Sequence, residues 1–194
     1  MRIFSCRLTS FSLTFFMHNI NLIGYRCSGK SSVGKKLAEV LRCQFVDADV
    51  VFVEQTAALI ADFVVQFGWP EFRQVESRIL GDLCRQDNIV LATGGGVVLS
   101  PGNRRKLQAS GVNFWLQVNL ETVLDRLPAD TVSATQRPAL TALSLEDEIS
   151  AGLKERELFY REVSDHTIIV DNLSVSDIVA QILLQYGSND RSVV

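Results

Sequence analysis

Residues 19–31 read Asn-Ile-Asn-Leu-Ile-Gly-Tyr-Arg-Cys-Ser-Gly-Lys-Ser. The first five, Asn19–Ile23, form a short apolar run of strand type. The next eight, Gly24 to Ser31, fit the pattern G-x-x-x-x-G-K-[ST] without a gap. From Lys30 to Arg42 apolar residues recur at helical spacing, with Val33, Leu37, Val40 and Leu41 on one face. A strand, a glycine-rich turn and a helix in that order make an anion cradle. Backbone N–H groups of the turn converge there, and the helix dipole adds positive potential. Lys30 brings a point charge for β- and γ-phosphates, and the Ser31 hydroxyl is of the type that ligates Mg2+. With Gly24, Cys27, Ser28, Gly29 and Ser32 around them, these residues predict a nucleoside triphosphate bound with magnesium.

Apolar runs then alternate with helical periodicity. Gln44–Val46, Asn88–Ala92, Val112–Val118 and His166–Val170 read as strands. Glu71–Cys84, Leu145–Tyr160 and Val175–Tyr186 read as helices. That alternation predicts an α/β fold with a parallel sheet and crossover helices. Leu127 to Leu143 turns to Pro, Ala, Ser and Thr, a loop long enough to be a lid or binding loop. One domain is expected over 17–187, with a short tail at 188–194.

The chain has 194 residues, 47% hydrophobic and 21% charged, which fits one folded domain and excludes a disordered chain. A net charge of −3 argues against a nucleic-acid partner held by phosphate contacts. No run approaches the roughly 20 apolar residues of a membrane span. Cys6, Cys27, Cys43 and Cys84 form no C-x-x-C pair, so reduced thiols and a cytoplasmic location are expected. Met1–Phe16 carries two arginines and no acid, which reads as a poorly ordered extension ahead of Met17, or else as a targeting segment.

Three further groups bear chemistry. Asp47 and Asp49 follow the second strand. On an extended segment, residues i and i+2 point the same way, so both carboxylates would face one site. One could hold a magnesium-bound water and the other accept from a substrate hydroxyl. Arg73 and Glu76 lie one helical turn apart, either as a surface ion pair or with Glu76 aiming Arg73 at an anion. Gly94, Gly95 and Gly96 follow a buried strand and let a backbone approach a ligand closely. The absence of an N-K-x-D base reader excludes a GTPase. The strand Asn88–Ala92 also lacks the terminal acid of motor and AAA-type ATPases.

Together with Arg137-Pro138 and Glu155-Arg156-x-x-x-Tyr160, these motifs stand in an order and spacing that resemble the shikimate kinase family over about Asn19 to Tyr186. The resemblance implies a P-loop, nucleoside-monophosphate-kinase-like fold. It would be three-layered, with a five-stranded parallel sheet, a substrate-binding region at about 47–80 and a lid at about 127–143. It implies ATP-dependent phosphorylation of the 3-hydroxyl of shikimate in aromatic amino-acid biosynthesis. A monomer is expected separately, because no helix is apolar all round and the charged faces read as solvated. By matching positions, Lys30 would stabilise transferred charge, and Ser31 and Asp47 would hold Mg2+. Asp49 would meet the shikimate hydroxyls as proton acceptor. Arg73 and Arg156 would bind the carboxylate, Gly94–Gly96 would line the ring, and Arg137 would reach the phosphates.

The chain departs from the family pattern in places. Cys27 replaces a usual glycine, Trp69 a usual glutamate and Leu158 a common proline. Asp130 stands where a second lid arginine is usual. Arg126 lies near but at a different spacing. The alternatives are another small P-loop kinase, with a gluconate-like or nucleotide acceptor, and a nucleotide-binding regulatory module without turnover.

Overall fold

A computed structural model describes residues 18–127 and 144–189. The strands are β1 (Asn19–Ile23), β2 (Gln44–Asp47), β3 (Ile89–Ala92), β4 (Gly111–Gln117) and β5 (His166–Ile169). The helices are α1 (Lys30–Leu41), α2 (Ala48–Thr56), α3 (Ile60–Leu83), α4 (Pro101–Ser110), α5 (Leu120–Arg126), α6 (Leu145–Val163) and α7 (Val175–Asn189).

All strand pairs are parallel, in the order β2-β3-β1-β4-β5. β1 is therefore central and buried at every residue, which is why it reads as a continuous apolar run rather than an alternating one. Side chains still alternate between faces. Ile20, Leu22, Val90, Phe114 and Leu116 pack with Val33 and Leu37 of α1 and Ile178 and Ile182 of α7. Ile23, Leu91 and Trp115 pack on the other face with Phe52, Phe72 and Ile79 of α2 and α3, Leu107 of α4 and Tyr160 of α6. The expected three layers and five parallel strands are present.

Several local expectations needed correction. Val40 is 49% exposed, because the buried stripe of α1 runs through Val33, Gly34, Leu37 and Ala38. Val175 is likewise exposed at the start of α7, and α7 continues to Asn189, into the stretch expected to be tail. The helix expected over 71–84 begins at Ile60 and bends at Gly68, whose φ is 81°. Gly68 and Pro70 mask that continuity in the sequence, since each is a local breaker. Among the described residues no single helix is long and apolar enough to cross a membrane. Among the described residues Cys27, Cys43 and Cys84 form no disulfide with one another. The extension 1–16, most of the lid and the residues after Asn189 lie outside the described residues.

Candidate active site

The strand order brings the C-terminal ends of β1, β2 and β3 together, the edge where open parallel sheets bind ligands. β1 ends in Gly24, where φ is 146° and a Cβ would lie 2.5 Å from the Leu116 carbonyl oxygen. Only glycine fits that turn. Gly29, at φ 89°, leads into α1. Cys27 is also left-handed, at φ 62°. An L-residue in that conformation costs about 1–2 kcal/mol. Cys27 therefore keeps the loop's shape at some expense of stability.

Lys30 donates from Nζ to the carbonyls of Gly24 at 2.8 Å and Tyr25 at 2.7 Å, and to Ser28 Oγ at 3.3 Å. These bonds close the loop on itself. Ser28 is fully buried inside it, while Ser31 and Ser32 open to solvent at the start of α1. The Ser31 hydroxyl donates to Asp47 Oδ2 at 2.6 Å, so residues 16 apart in sequence share one spot.

That spot suits Mg2+. The donors are hard oxygens, one hydroxyl and one carboxylate, and Mg2+ takes few protein ligands because it keeps waters and phosphate oxygens. Among the described residues no cluster of three or more His, Cys, Asp or Glu could cage a metal alone.

The aspartate pair differs from expectation. Asp47 is extended, but Asp49 already sits in the first turn of α2. Asp47 caps that helix, its Oδ1 accepting from the Asp49 N–H at 3.0 Å. The cap starts the helix one residue after Asp47, so the two carboxylates do not share the face of an extended segment. Both still stand at the end of β2, where Asp47 is in register with Ala92, two residues before Gly94.

Thr93 ties the glycine run to β1, its N–H and Oγ1 both donating to the Leu22 carbonyl, at 3.2 and 3.1 Å. A Cβ on Gly95 would come within 3.3 Å of Arg26 N and Gly24 O, so the run packs directly on the phosphate loop. A Cβ on Gly96 would lie 2.3 Å from an Arg73 guanidinium nitrogen. Arg73 itself pairs with Glu76 at 2.6 Å, and Glu76 is buried. Its guanidinium also lies 5.5 Å from the Trp69 ring centre and 5.1 Å from that of Phe72. The pair is therefore an aimed arginine rather than a surface bridge. Trp69 supplies an aromatic face to Arg73.

α6 presents one stripe of Glu148, Gly152, Arg156 and Tyr160 to this centre. Tyr160 donates to the Gly95 carbonyl at 2.5 Å and stacks on Trp115. Gly152 leaves room for Tyr25, whose hydroxyl would lie 2.7 Å from a Cβ there. Arg156 is buried, 5.1 Å from the Tyr25 ring centre, and its one ion-pair contact among the described residues is exposed Glu155 at 3.8 Å. Its Nε has no hydrogen-bond acceptor, a condition that costs about 1–3 kcal/mol in a buried site.

The phosphate loop, Asp47, Arg73, Gly94–Gly96 and Arg156 are thus brought together. Arg137 and Asp130 fall outside the described residues. Arg26 escaped the reading of the sequence, and Arg126 was singled out there only as a near match to the missing lid arginine. Arg26 reaches Glu148 at 3.2 Å. Arg126 donates to the carbonyls of Cys27 and Val170, both at 3.1 Å, so despite its spacing it braces the phosphate loop.

A family model described as shikimate kinase matches residues 26–186. The shikimate kinase of Oleidesulfovibrio alaskensis is 40% identical over 152 residues, 78% of this chain and 88% of that protein. That of Xanthomonas euvesicatoria is 36% identical over 173 residues, 89% of this chain and 94% of its own length. The solved structure of shikimate kinase from Acinetobacter baumannii in complex with shikimate has a TM-score of 0.83 at 33% identity, covering 90% of this chain and 95% of that one. A phosphate cradle beside a paired arginine site, on a sheet shared with these proteins, has one reading: the chain belongs to the shikimate kinase family.

Proposed function

We propose that this chain transfers the γ-phosphoryl group of ATP to the 3-hydroxyl of shikimate, with the acceptor held between α3, α6 and the glycine run. The observation that carries this is the contact of Gly95 with the phosphate loop and of Gly96 with Arg73. With Arg73 as a carboxylate ligand, the acceptor would lie directly against the phosphate cradle. Arg73 and Arg156 would take the carboxylate, since a planar guanidinium matches two oxygens and each charge-assisted bond contributes about 1.5–3 kcal/mol. Gly94–Gly96 would lie along the ring, and the Asp49 carboxylate would accept the proton of the attacking hydroxyl.

Ser31 and Asp47 would hold Mg2+, which supplies charge neutralisation on the β- and γ-phosphate oxygens when bound with ATP. On nucleotide binding, Lys30 would exchange its loop carbonyls for phosphate oxygens and stabilise charge in the transition state. Arg137, from the lid, would add a second cation and help exclude water. The spacing of the cysteines, with no C-x-x-C pair, supports action in the cytoplasm. Monomeric action is checked by sedimentation.

The test is Arg73→Ala under steady-state conditions. The expected result is a shikimate KM raised by about 10- to 100-fold with ATP KM little changed. An unchanged shikimate KM would remove Arg73 from the acceptor site.

A further inference from the structure

The mechanism above leaves Arg26 unused. It is the third residue of the phosphate loop, and its backbone N–H borders Gly95. Its side chain is largely buried and runs toward α6. There one guanidinium nitrogen meets Glu148 at 3.2 Å, and the group lies 5.7 Å from the Tyr25 ring centre. Its Nε is buried without a hydrogen-bond acceptor. Among the described residues only one other arginine nitrogen shares that condition, Nε of Arg156, whose guanidinium lies 5.1 Å from the same ring centre.

A guanidinium carries five N–H donors in a fixed fork and no acceptor. Two such forks beside one tyrosine, each with a buried donor left over, form a site built for an anionic, oxygen-rich ligand. We propose that Arg26 is a third arginine of the acceptor site, donating to an oxygen of the bound polyhydroxy acid while Glu148 fixes its orientation. Glu148, Gly152 and Arg156 lie on one stripe of α6, so the same helix sets both arginines. The proposal rests on the assignment of shikimate as acceptor. The competing role is a tether, in which Arg26 joins the phosphate loop to α6 and touches no ligand.

The experiment measures shikimate and MgATP affinity separately in the full-length wild type, Arg26→Met and Arg26→Lys, by calorimetry, with thermal melts beside them. Lysine keeps the charge but lacks Nε and the planar fork. The expected result is shikimate Kd raised by about tenfold in Arg26→Met and about fivefold in Arg26→Lys, with MgATP Kd within about twofold of wild type. If Arg26→Met does not fold, Arg26→Lys carries the same test. Shikimate Kd unchanged in the folded variant, with or without a lower melting temperature, overturns the proposal in favour of the tether. So does a loss confined to MgATP. A wild type that binds MgATP but no shikimate overturns the acceptor assignment itself, and the Arg26 proposal with it.

Discussion

At Gly96 the lack of a side chain decides where Arg73 lies. A Cβ would sit 2.3 Å from the guanidinium, and the tip of that side chain is what must yield. Gly96→Ala is expected to raise shikimate KM by about tenfold, with ATP KM unchanged and little loss of melting temperature. Unchanged KM for shikimate would show that Arg73 does not need its observed position. Lys30→Met removes a cation aimed at developing charge, so kcat should fall by at least about 100-fold. Its melting temperature should also drop, because Lys30 closes the loop through Gly24, Tyr25 and Ser28. At this scale the sequence was informative where partners are near. Lys30 and Ser31 stand in one contiguous motif. Arg26 was not legible because Glu148 is 122 residues away, and Arg126 was noticed without its partner because Cys27 is 99 residues away. Asp49 was misplaced because the capping by Asp47, which begins a helix at Ala48, outweighs the extended trend of the strand before it.

Helix α6 gathers the site as an element. Glu148, Gly152, Arg156 and Tyr160 recur at four-residue spacing, and each meets the phosphate loop or the glycine run. Tyr160→Phe keeps the stacking on Trp115 and removes the bond to the Gly95 carbonyl. It should cost about 1 kcal/mol of stability, read from denaturant melts, with shikimate KM rising while ATP KM holds. A variant as stable as wild type would mean that Gly95 is held by other means. The long, periodic helices were readable from the sequence, and the short ones were not. α2 carries Val50, Val51 and Val53, a strand-like run, yet among its residues only Ala48 and Phe52 are buried. α4 buries only Asn103 and Leu107, too little apolar face to show a period. In α3 the left-handed Gly68 breaks the pattern while the chain resumes as helix.

Over the whole molecule, alternating apolar runs and helical periods were enough to indicate a parallel sheet with helices on both faces. They do not encode the order β2-β3-β1-β4-β5, which depends on long-range pairing. That order is what places Asp47 beside Ala92 and the phosphate loop beside Gly95. The core also controls the thiols. Burial raises the pKa of Cys43 and Cys84 above its ordinary value. A raised thiol pKa means less thiolate at mildly alkaline pH, so both should react slowly with a thiol reagent in the native protein and rapidly once it is unfolded. Equal rates in the two states would contradict their partial burial. The same shift has a sign for stability. Protection by these partly buried neutral thiols is full below the unfolded thiol pKa and is lost as pH rises through the raised folded values.

The central claim is that one sheet edge joins an ATP site to a carboxylated polyol site. The most direct measurement is a coupled assay of ADP release with MgATP, using shikimate, gluconate and AMP as separate acceptors. The account predicts release that depends on shikimate, is absent with AMP and gluconate, and is lost in Lys30→Ala and Arg73→Ala. Turnover with gluconate or AMP in place of shikimate, or ATP binding without turnover on any acceptor, would contradict it.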